Sequence, residues 1–291
     1  MIRILIDSGI DQNDFMRESY DYGFLPLSVI LNDKSYLDQE EIQLSEVHDF
    51  MKEDKLPKTS QVSPETVLKA LDSSRAKGED VIYIALTRKV SGTATVAEAI
   101  VNEYSLSYPD MKIAVIDSEG GAGGGALLAL QALEMAKQGM DYESIVSITK
   151  VSTKHIHYHF TLDNLKWLVK SGRLPKVAGA TGDALNIKPY LSMNETGIYL
   201  KKLVRGKDRI YKRIVKDVQK GVGDFTDQII GISHVNDIEN AQKLETLIKE
   251  ALPDASIQIF EVGALLSAHL GLGGVGVFYY DAKPETYFYI D

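Results

Sequence analysis

Val81-Ile82-Tyr83-Ile84-Ala85-Leu86 is a continuous apolar run, and the turn Val90-Ser91-Gly92-Thr93 follows it. Six apolar residues bounded by a turn are typical of a fully buried strand, and the alanine-rich residues 94–102 have the composition of a helix. A strand, a short turn and a helix in this order predict one unit of an α/β fold with a parallel sheet.

A second hydroxyl-rich turn, Thr59-Ser60-Gln61-Val62-Ser63-Pro64, stands earlier in the chain. Ser63 suits an N-cap and Pro64 suits the first helical position, so a helix is predicted over residues 65–76. Such turns most often only cap a helix. A helix N-terminus nevertheless favours negative charge, and Gly92 leaves room for a ligand. Together the two turns predict a site for a carboxylate or a phosphate.

The rest of the first half also alternates strand-like and helix-like segments. Open α/β sheets bind ligands outside the carboxyl ends of their strands, so we expect the polar end of a ligand along that edge. Asp7, in the first such turn, is expected to cap the turn. The acidic residues 38–46 are expected to be solvated surface, since their carboxylates show no ligand spacing. The predicted elements are strands at 2–6, 24–31 and 112–116 and a helix at 126–137.

The glycine run at residues 120–125 has two interpretations. It resembles a phosphate-binding loop, but it lacks the Gly-Lys-Ser/Thr of a P-loop and a full dinucleotide fingerprint. Glycines between a strand and a helix also allow the helix to pack closely against its neighbours, and we favour this interpretation.

A second domain is predicted after the helix at residues 141–150, which gives domains of 1–152 and 153–291. His155, His157 and His159 alternate along its first predicted strand, 155–162, and should share one face. No carboxylate is expected on that face, so no metal site is expected. The further predicted elements are a hairpin at 187–193 and 198–204, strands at 229–233 and 256–262, and a helix at 238–251.

Composition excludes several classes of protein. The net charge is −9, with 32 Lys and Arg against 41 Asp and Glu, so a nucleic-acid surface is not expected. The absence of cysteine excludes disulfides and thiolate chemistry. The N-terminus lacks the apolar core of a signal peptide, and no apolar run reaches the roughly 18 residues of a membrane span. We therefore expect a cytoplasmic protein without stable membrane insertion.

Several short motifs occur in an order that resembles the DegV family. After the two hydroxyl turns come Val-Ile-Asp-Ser at 115–118, Ser-Gly-Arg at 171–173, Ile-Lys-Pro at 187–189, Val-Arg-Gly at 204–206 and His269 in a glycine-rich turn. The resemblance covers nearly the whole chain. It implies a two-domain α/β fold, with a Rossmann-like N-terminal domain built on a parallel sheet and a C-terminal α/β domain with a mixed sheet.

The resemblance also implies a function. Characterised DegV-family proteins are the fatty-acid-binding subunits of bacterial fatty-acid kinase, and a separate kinase subunit phosphorylates the carboxylate of the fatty acid that they hold. The chain is then expected to be a binding subunit with no catalytic residue, metal or cofactor of its own. Its expected partners are a long-chain fatty acid, enclosed by the C-terminal domain, and the kinase subunit.

By the same resemblance, Thr59 and Ser91 are expected to donate hydrogen bonds to the carboxylate, with His269 completing the site and Arg173 supporting it from behind. Arg205 matches a position implied to dock the kinase subunit, although a solvated basic helix face is an equally open interpretation of the residues around it. The full set expected at the ligand is Thr59, Ser60, Ser91, Gly92, Thr93, Arg173 and His269.

The chain departs from the family pattern at Val62 and Leu272, where the family commonly has proline, and at Arg88 in a segment that is commonly rich in serine. Arg88 is expected to add a charge close to the anion site. Two alternatives stay open. One is a subunit of the dihydroxyacetone-kinase type that holds a small keto sugar covalently on His269, and the other is a non-catalytic regulatory module.

Overall fold

The computed structural model describes residues 1–175 and 186–290, in which strands and helices alternate along the chain. The strands are β1 (Ile2–Asp7), β2 (Gly23–Leu25), β3 (Ser28–Leu31), β4 (Lys34–Leu37), β5 (Lys58–Ser60), β6 (Asp80–Ala85), β7 (Ile113–Asp117), β8 (Ile156–Thr161), β9 (Ile187–Asn194), β10 (Gly197–Arg205), β11 (Ile229–Val235), β12 (Ser256–Glu261) and β13 (Gly274–Tyr280). The helices are α1 (Asp14–Ser19), α2 (Leu44–Lys52), α3 (Pro64–Ala76), α4 (Thr93–Ser107), α5 (Ala122–Lys137), α6 (Tyr142–Ser152), α7 (Lys166–Lys170), α8 (Lys207–Gly221), α9 (Ile238–Ala251) and α10 (Ala264–Leu270).

The first sheet is parallel throughout, in the order β2-β1-β6-β7. Every residue of β6 after Asp80 is buried, which explains why its sequence is a continuous apolar run instead of an alternating one. The carboxyl ends of β1, β6 and β7 lie along one edge. The predicted parallel sheet is therefore confirmed, and the turn before α4 stands at that edge.

Residues 24–31 form strands in two different sheets, so the prediction of one strand there is wrong. β2 joins the parallel sheet, whereas β3 pairs with β4 and β5 in a small antiparallel sheet. Pro26 lies between β2 and β3, and proline has no N–H with which to continue a ladder. The break is what positions β5, since Thr59 pairs with Val29 of β3.

The third sheet is mixed, as expected, and has the order β10-β9-β8-β13-β11-β12. β11 and β12 are parallel, and the other neighbouring strands are antiparallel. β9 and β10 form the predicted hairpin, in which Gly197 has a φ of +112° that other residues rarely adopt.

α5 packs against β1 of the first sheet and against β11 and β13 of the third. It is apolar on all sides because both of its faces are covered. A Cβ atom on Gly125 would lie 2.2 Å from Ile10 Cδ1, and one on Gly123 would lie 2.7 Å from the Phe278 ring. The packing interpretation of the glycine run is therefore confirmed. The helix begins within that run, earlier than predicted.

Although α5 is so apolar, neither it nor any other helix in the described residues has the length and apolar character needed to cross a bilayer.

The residues around α5 join the two halves of the chain. One hydrophobic cluster contains Ile6 from the first sheet and Phe278 from the third. Near the end of the chain, the Phe288 carbonyl accepts a 2.8 Å hydrogen bond from Gln131 Nε2. The domain division after residue 152 stays a prediction.

The three histidines near β8 do not share one strand face, contrary to the prediction. His155 lies in a 3-10 turn before β8, while His157 and His159 both lie beside the ring of Tyr279. Asp281 contacts His155 Nδ1 at 2.8 Å and His157 Nε2 at 2.7 Å, so the expectation that no carboxylate lies nearby is wrong. Within residues 1–175 and 186–290, no group of three or more His, Asp or Glu side chains is arranged to hold a metal ion.

Candidate functional site

A polar cavity at the edge of the first sheet brings together residues from distant parts of the chain. Thr59 Oγ1 and His269 Nε2 lie 2.7 Å apart, and Ser91 lines the same cavity. Thr59 comes from β5, Ser91 from the turn before α4 and His269 from the last turn of α10. Two hydroxyls and one imidazole therefore face one space of the kind that suits a small anion.

His269 is mostly buried, and this burial decides its charge. Burial, together with the smaller effect of the nearby positive charge of Arg173, lowers the pKa of His269 to about 4. The imidazole is therefore neutral at pH 7 and carries one N–H. Nε2 is engaged with Thr59, while Nδ1 has no hydrogen-bond partner among the residues that the structure describes. The described residues place no carboxylate on this imidazole, so no Ser-His-Asp relay is assembled.

Thr93 lies behind the cavity wall, which corrects the expectation that it contacts a ligand. Its side chain is fully buried, and its Oγ1 accepts a 3.4 Å hydrogen bond from the Val62 N–H. Ser91 Oγ and Thr93 Oγ1 are 3.0 Å apart. Thr93 therefore ties the two hydroxyl turns together and orients Ser91. A proline at position 62 has no N–H to donate, so this link depends on one of the departures from the family pattern.

Ser60 and Gly92 lie at the exposed rim of the cavity. A Cβ atom on Gly92 would lie 2.2 Å from Oε1 at the end of the Gln61 side chain, so glycine leaves room for that side chain over the turn. The turn pair is thus held from beneath by Thr93, and the side chain of Gln61 covers Gly92.

Arg173 reaches the cavity from the chain that follows α7. Gly172, with a φ of +75°, reverses the chain after the helix. Arg173 Nε donates to the Val90 carbonyl at 3.2 Å, and Nη1 donates to the Ser171 carbonyl at 2.6 Å. Because Val90 directly precedes Ser91, the guanidinium fixes the turn that carries the Ser91 hydroxyl. A supporting role for Arg173 at a bound ligand stays a prediction.

Two other arginines do not join the site. Arg88 is paired with Asp117 and with Glu98, at 2.7 Å in each case. It therefore brings no free charge to the anion site, contrary to the expectation. Arg205 is exposed at the far end of β10 from Ile198, which lines the cavity. The two residues are about 24 Å apart along the strand. A docking role for Arg205 stays a prediction.

An apolar cavity adjoins the polar one. Tyr158 and Phe160 of β8 and Leu162 directly after it all line this apolar cavity, so the cavity extends about 13 Å along the direction of the strand. Most of its other lining residues also belong to the C-terminal half. The residues that line both cavities are Leu86, Val90, Ile198, Leu266 and Leu270.

α10 therefore belongs to both cavities, because Leu266 and Leu270 stand within one turn of His269. Sequence reasoning singled out the histidine and missed the two leucines. Their spacing of four residues on a short helix is a signal that would have placed them on one face.

Sequence reasoning also missed how deeply two aspartates are buried. Asp7 caps its turn as expected, with a 2.8 Å hydrogen bond from the Gly9 N–H, but it also accepts hydrogen bonds from Tyr83 and Leu86. Asp38 is fully buried and accepts from the Leu265 N–H at 3.2 Å, so the interpretation of its segment as solvated surface is wrong at this residue. Burial raises the pKa of both carboxyls to about 6.

Asp11→Asn is expected to change how stability depends on pH. Burial raises the pKa of Asp11 to about 7, although Ser233 Oγ donates a 2.6 Å hydrogen bond to it. Between about pH 4 and pH 7 the folded protein keeps a proton on Asp11 that the unfolded chain loses, so this carboxyl makes the free energy of unfolding fall as pH rises. We expect the variant to lack a loss of about 3 kcal/mol between pH 5 and pH 8, measured by urea unfolding.

Asp14→Asn is the control, since it removes an exposed carboxylate close to Asp11 in the sequence. It should follow the wild-type protein at every pH. The expectation for Asp11 is contradicted if Asp11→Asn and the wild-type protein show parallel pH profiles.

Comparisons with known proteins agree with the fold. A family model described as "Uncharacterised protein, DegV family" matches residues 1–282. A DegV domain-containing protein of Clostridium perfringens is 28% identical over 97% of this chain and 98% of its own length.

Two solved structures of similar fold belong to proteins that are named for fatty acids. A fat acid (stearic acid)-binding protein from Eubacterium ventriosum has a TM-score of 0.87 at 26% identity, covering 96% of this chain and 97% of that one. The Streptococcus pneumoniae fatty acid kinase B3 protein, loaded with linoleic acid, has a TM-score of 0.86 at 25% identity, covering 97% and 100%. On the family match over residues 1–282, the chain belongs to the DegV family.

Proposed function

We propose that this protein binds a long-chain fatty acid, with the carboxylate in the polar cavity and the alkyl chain in the apolar cavity. The observation that carries the proposal is the shared wall: Leu266 and Leu270 line both cavities, and His269 lies between them on α10. The acids named for the Eubacterium ventriosum and Streptococcus pneumoniae proteins support the same class of ligand.

The alkyl chain supplies the affinity, and the polar end supplies the orientation. Burying about 15 methylene groups at roughly 0.8 kcal/mol each gives a gross gain near 12 kcal/mol. A single hydrogen bond contributes only about 1 kcal/mol. Thr59, Ser91 and neutral His269 can each donate to a carboxylate oxygen, so the carboxylate is held at a fixed place by groups that carry no net charge. Arg173, behind the Ser91 turn, supplies the nearby positive charge.

We further propose that the chain presents the carboxylate to a separate kinase subunit and does no chemistry itself. A carboxylate oxygen would attack the γ-phosphorus of ATP held by that subunit, giving an acyl phosphate and ADP. The carboxylate is already anionic and needs no general base. His269, with its pKa lowered to about 4, is a weak base at neutral pH, which suits a hydrogen-bond donor better than a proton acceptor. A cytoplasmic location fits this role.

Native mass spectrometry of freshly purified protein tests the proposal against its rivals. We expect a mass increment equal to one long-chain fatty acid that is lost on denaturation. A keto sugar held covalently on His269 would instead give a small increment that survives denaturation. An empty protein that also fails to take up added stearate or oleate would contradict the proposed function and favour a regulatory module.

A further inference from the structure

We propose that the apolar cavity receives an acyl chain that bears an oxygen, as in a hydroxy or oxo fatty acid, through a hydrogen bond donated by Tyr158. This inference rests on the proposed function and narrows its class of ligand. The Tyr158 hydroxyl is a polar group that an entirely saturated alkyl chain would leave without a hydrogen-bond partner.

The Tyr158 hydroxyl is buried, its O–H finds no acceptor among the described residues, and the residue, 5% exposed, lines the cavity. The hydroxyl oxygen faces the Gly121 N–H, so what is left without a partner is the phenolic hydrogen. Burial raises its pKa well above the usual range of a phenol, so the group remains an O–H donor. Buried donors are nearly always satisfied in folded proteins, because leaving one without an acceptor is costly. A ligand oxygen beside the ring would supply the missing acceptor.

The ring of Tyr158 is held in place by its neighbours. Phe278 packs against it edge to face at 5.4 Å between ring centroids. A Cβ atom on Gly120 would lie 2.0 Å from the Tyr158 hydroxyl oxygen, and one on Gly124 would lie 2.4 Å from the ring. The glycine run therefore does more than pack α5, since it also leaves the space that this tyrosine fills.

The surroundings of the hydroxyl also favour an electron-rich ligand atom. Gly121 and Ala122, which line the cavity, stand at the start of α5, where the N-cap residue is a glycine and the Ala122 and Gly123 N–H groups donate to the Gly9 carbonyl and to Ser233 Oγ. The N-terminal end of a helix of this length attracts negative partial charge. An oxygen lone pair meets this requirement, whereas a methylene group does not.

Ser233 carries the other side-chain hydroxyl among the described residues that line this cavity, and it is already engaged. It donates to Asp11 Oδ2 at 2.6 Å and accepts from the Gly123 N–H at 3.1 Å. Among the described residues that line the cavity, Tyr158 is thus the one whose side-chain hydroxyl can still donate a hydrogen bond. A carbon–carbon double bond is only a weak acceptor, so unsaturation alone does not satisfy it.

Binding measurements on the full chain test the inference. Fluorescence displacement or calorimetry would compare stearate and oleate with 3-, 10- and 12-hydroxystearate and 10-oxostearate. We expect at least one oxygenated acid to bind the wild-type protein about tenfold tighter than stearate, the gain of one good hydrogen bond. Tyr158→Phe should bind stearate at least as tightly as the wild-type protein and should lose that preference.

Tyr280→Phe is the matched control. Tyr280 also has a buried hydroxyl with no hydrogen-bond partner in the described part of the chain, but it does not line the cavity. This variant should keep the preference for the oxygenated acid. The inference is overturned if stearate binds and every oxygenated acid binds no tighter, or if the preference survives in Tyr158→Phe. If none of the acids binds the wild-type protein, the proposed function itself fails.

Discussion

Ser91→Ala combined with His269→Ala is expected, on the proposed function, to abolish acyl-phosphate formation by a fatty-acid kinase subunit while the protein still folds. The two changes remove two of the three groups that we assign to the carboxylate and leave the apolar cavity intact. Loss of orientation at a reacting atom lowers rates by about 100-fold or more. The alkyl chain should still bind, with affinity reduced by about 10-fold to 100-fold. Turnover with a fatty-acid kinase and ATP, and fatty-acid binding in its absence, would measure the two effects separately.

Ser107→Ala combined with His157→Gln is the matched control, because it removes one hydroxyl and one imidazole that line neither cavity. Its turnover should equal that of the wild-type protein. Thermal unfolding of both double variants would show that each is folded. Undiminished acyl-phosphate formation by the Ser91 and His269 double variant would remove the assignment of the site.

Leu266→Asp is expected to abolish fatty-acid binding. Leu266 is only partly buried and lines both cavities, so an ionised carboxylate can be tolerated there in the empty protein. A bound alkyl chain would cover that carboxylate and remove it from water, at a cost of about 3 kcal/mol or more. Such a cost lowers affinity by about 100-fold or more. The new charge would also repel the carboxylate of the fatty acid itself.

Leu266→Met is the control for this position, since it conserves volume and apolar character. It should bind stearate or oleate within about threefold of the wild-type protein by the same assay, because volume-conserving swaps are well tolerated. If Leu266→Asp is folded and binds either acid as tightly as Leu266→Met does, the alkyl chain does not pass this residue, and the path assigned to it is wrong.

The fold was predictable where local pattern and burial agree. The apolar run of β6, the cap of α3 at Ser63 and the hairpin of β9 and β10 each carry a signal within a few residues. The single strand predicted over residues 24–31 failed because the apolar composition was given more weight than Pro26, which marks the point where the chain changes sheets.

The site was less predictable, because its members meet only in three dimensions. Thr59 and His269 are 210 residues apart, and no periodicity links them; the resemblance to a family paired them. Thr93 stands in the same hydroxyl turn as Ser91, yet it points to the neighbouring turn instead of the cavity, which residue type does not reveal. The burial of Asp38 depends on the backbone of α10, which lies at the other end of the chain.

The short helix α10 carries Leu266 and Leu270 beside the path proposed for the alkyl chain and His269 beside the place proposed for the carboxylate. On the proposed function, one short helix would contact both the carboxylate and the adjoining part of the alkyl chain, so its position would depend on whether the ligand is bound. We expect an unloaded copy to keep the Thr59 and His269 side chains closed on each other and a loaded copy to open that pair toward its cargo. A kinase subunit would then be able to distinguish the ligand-bound protein from the ligand-free protein before it transfers a phosphoryl group from ATP.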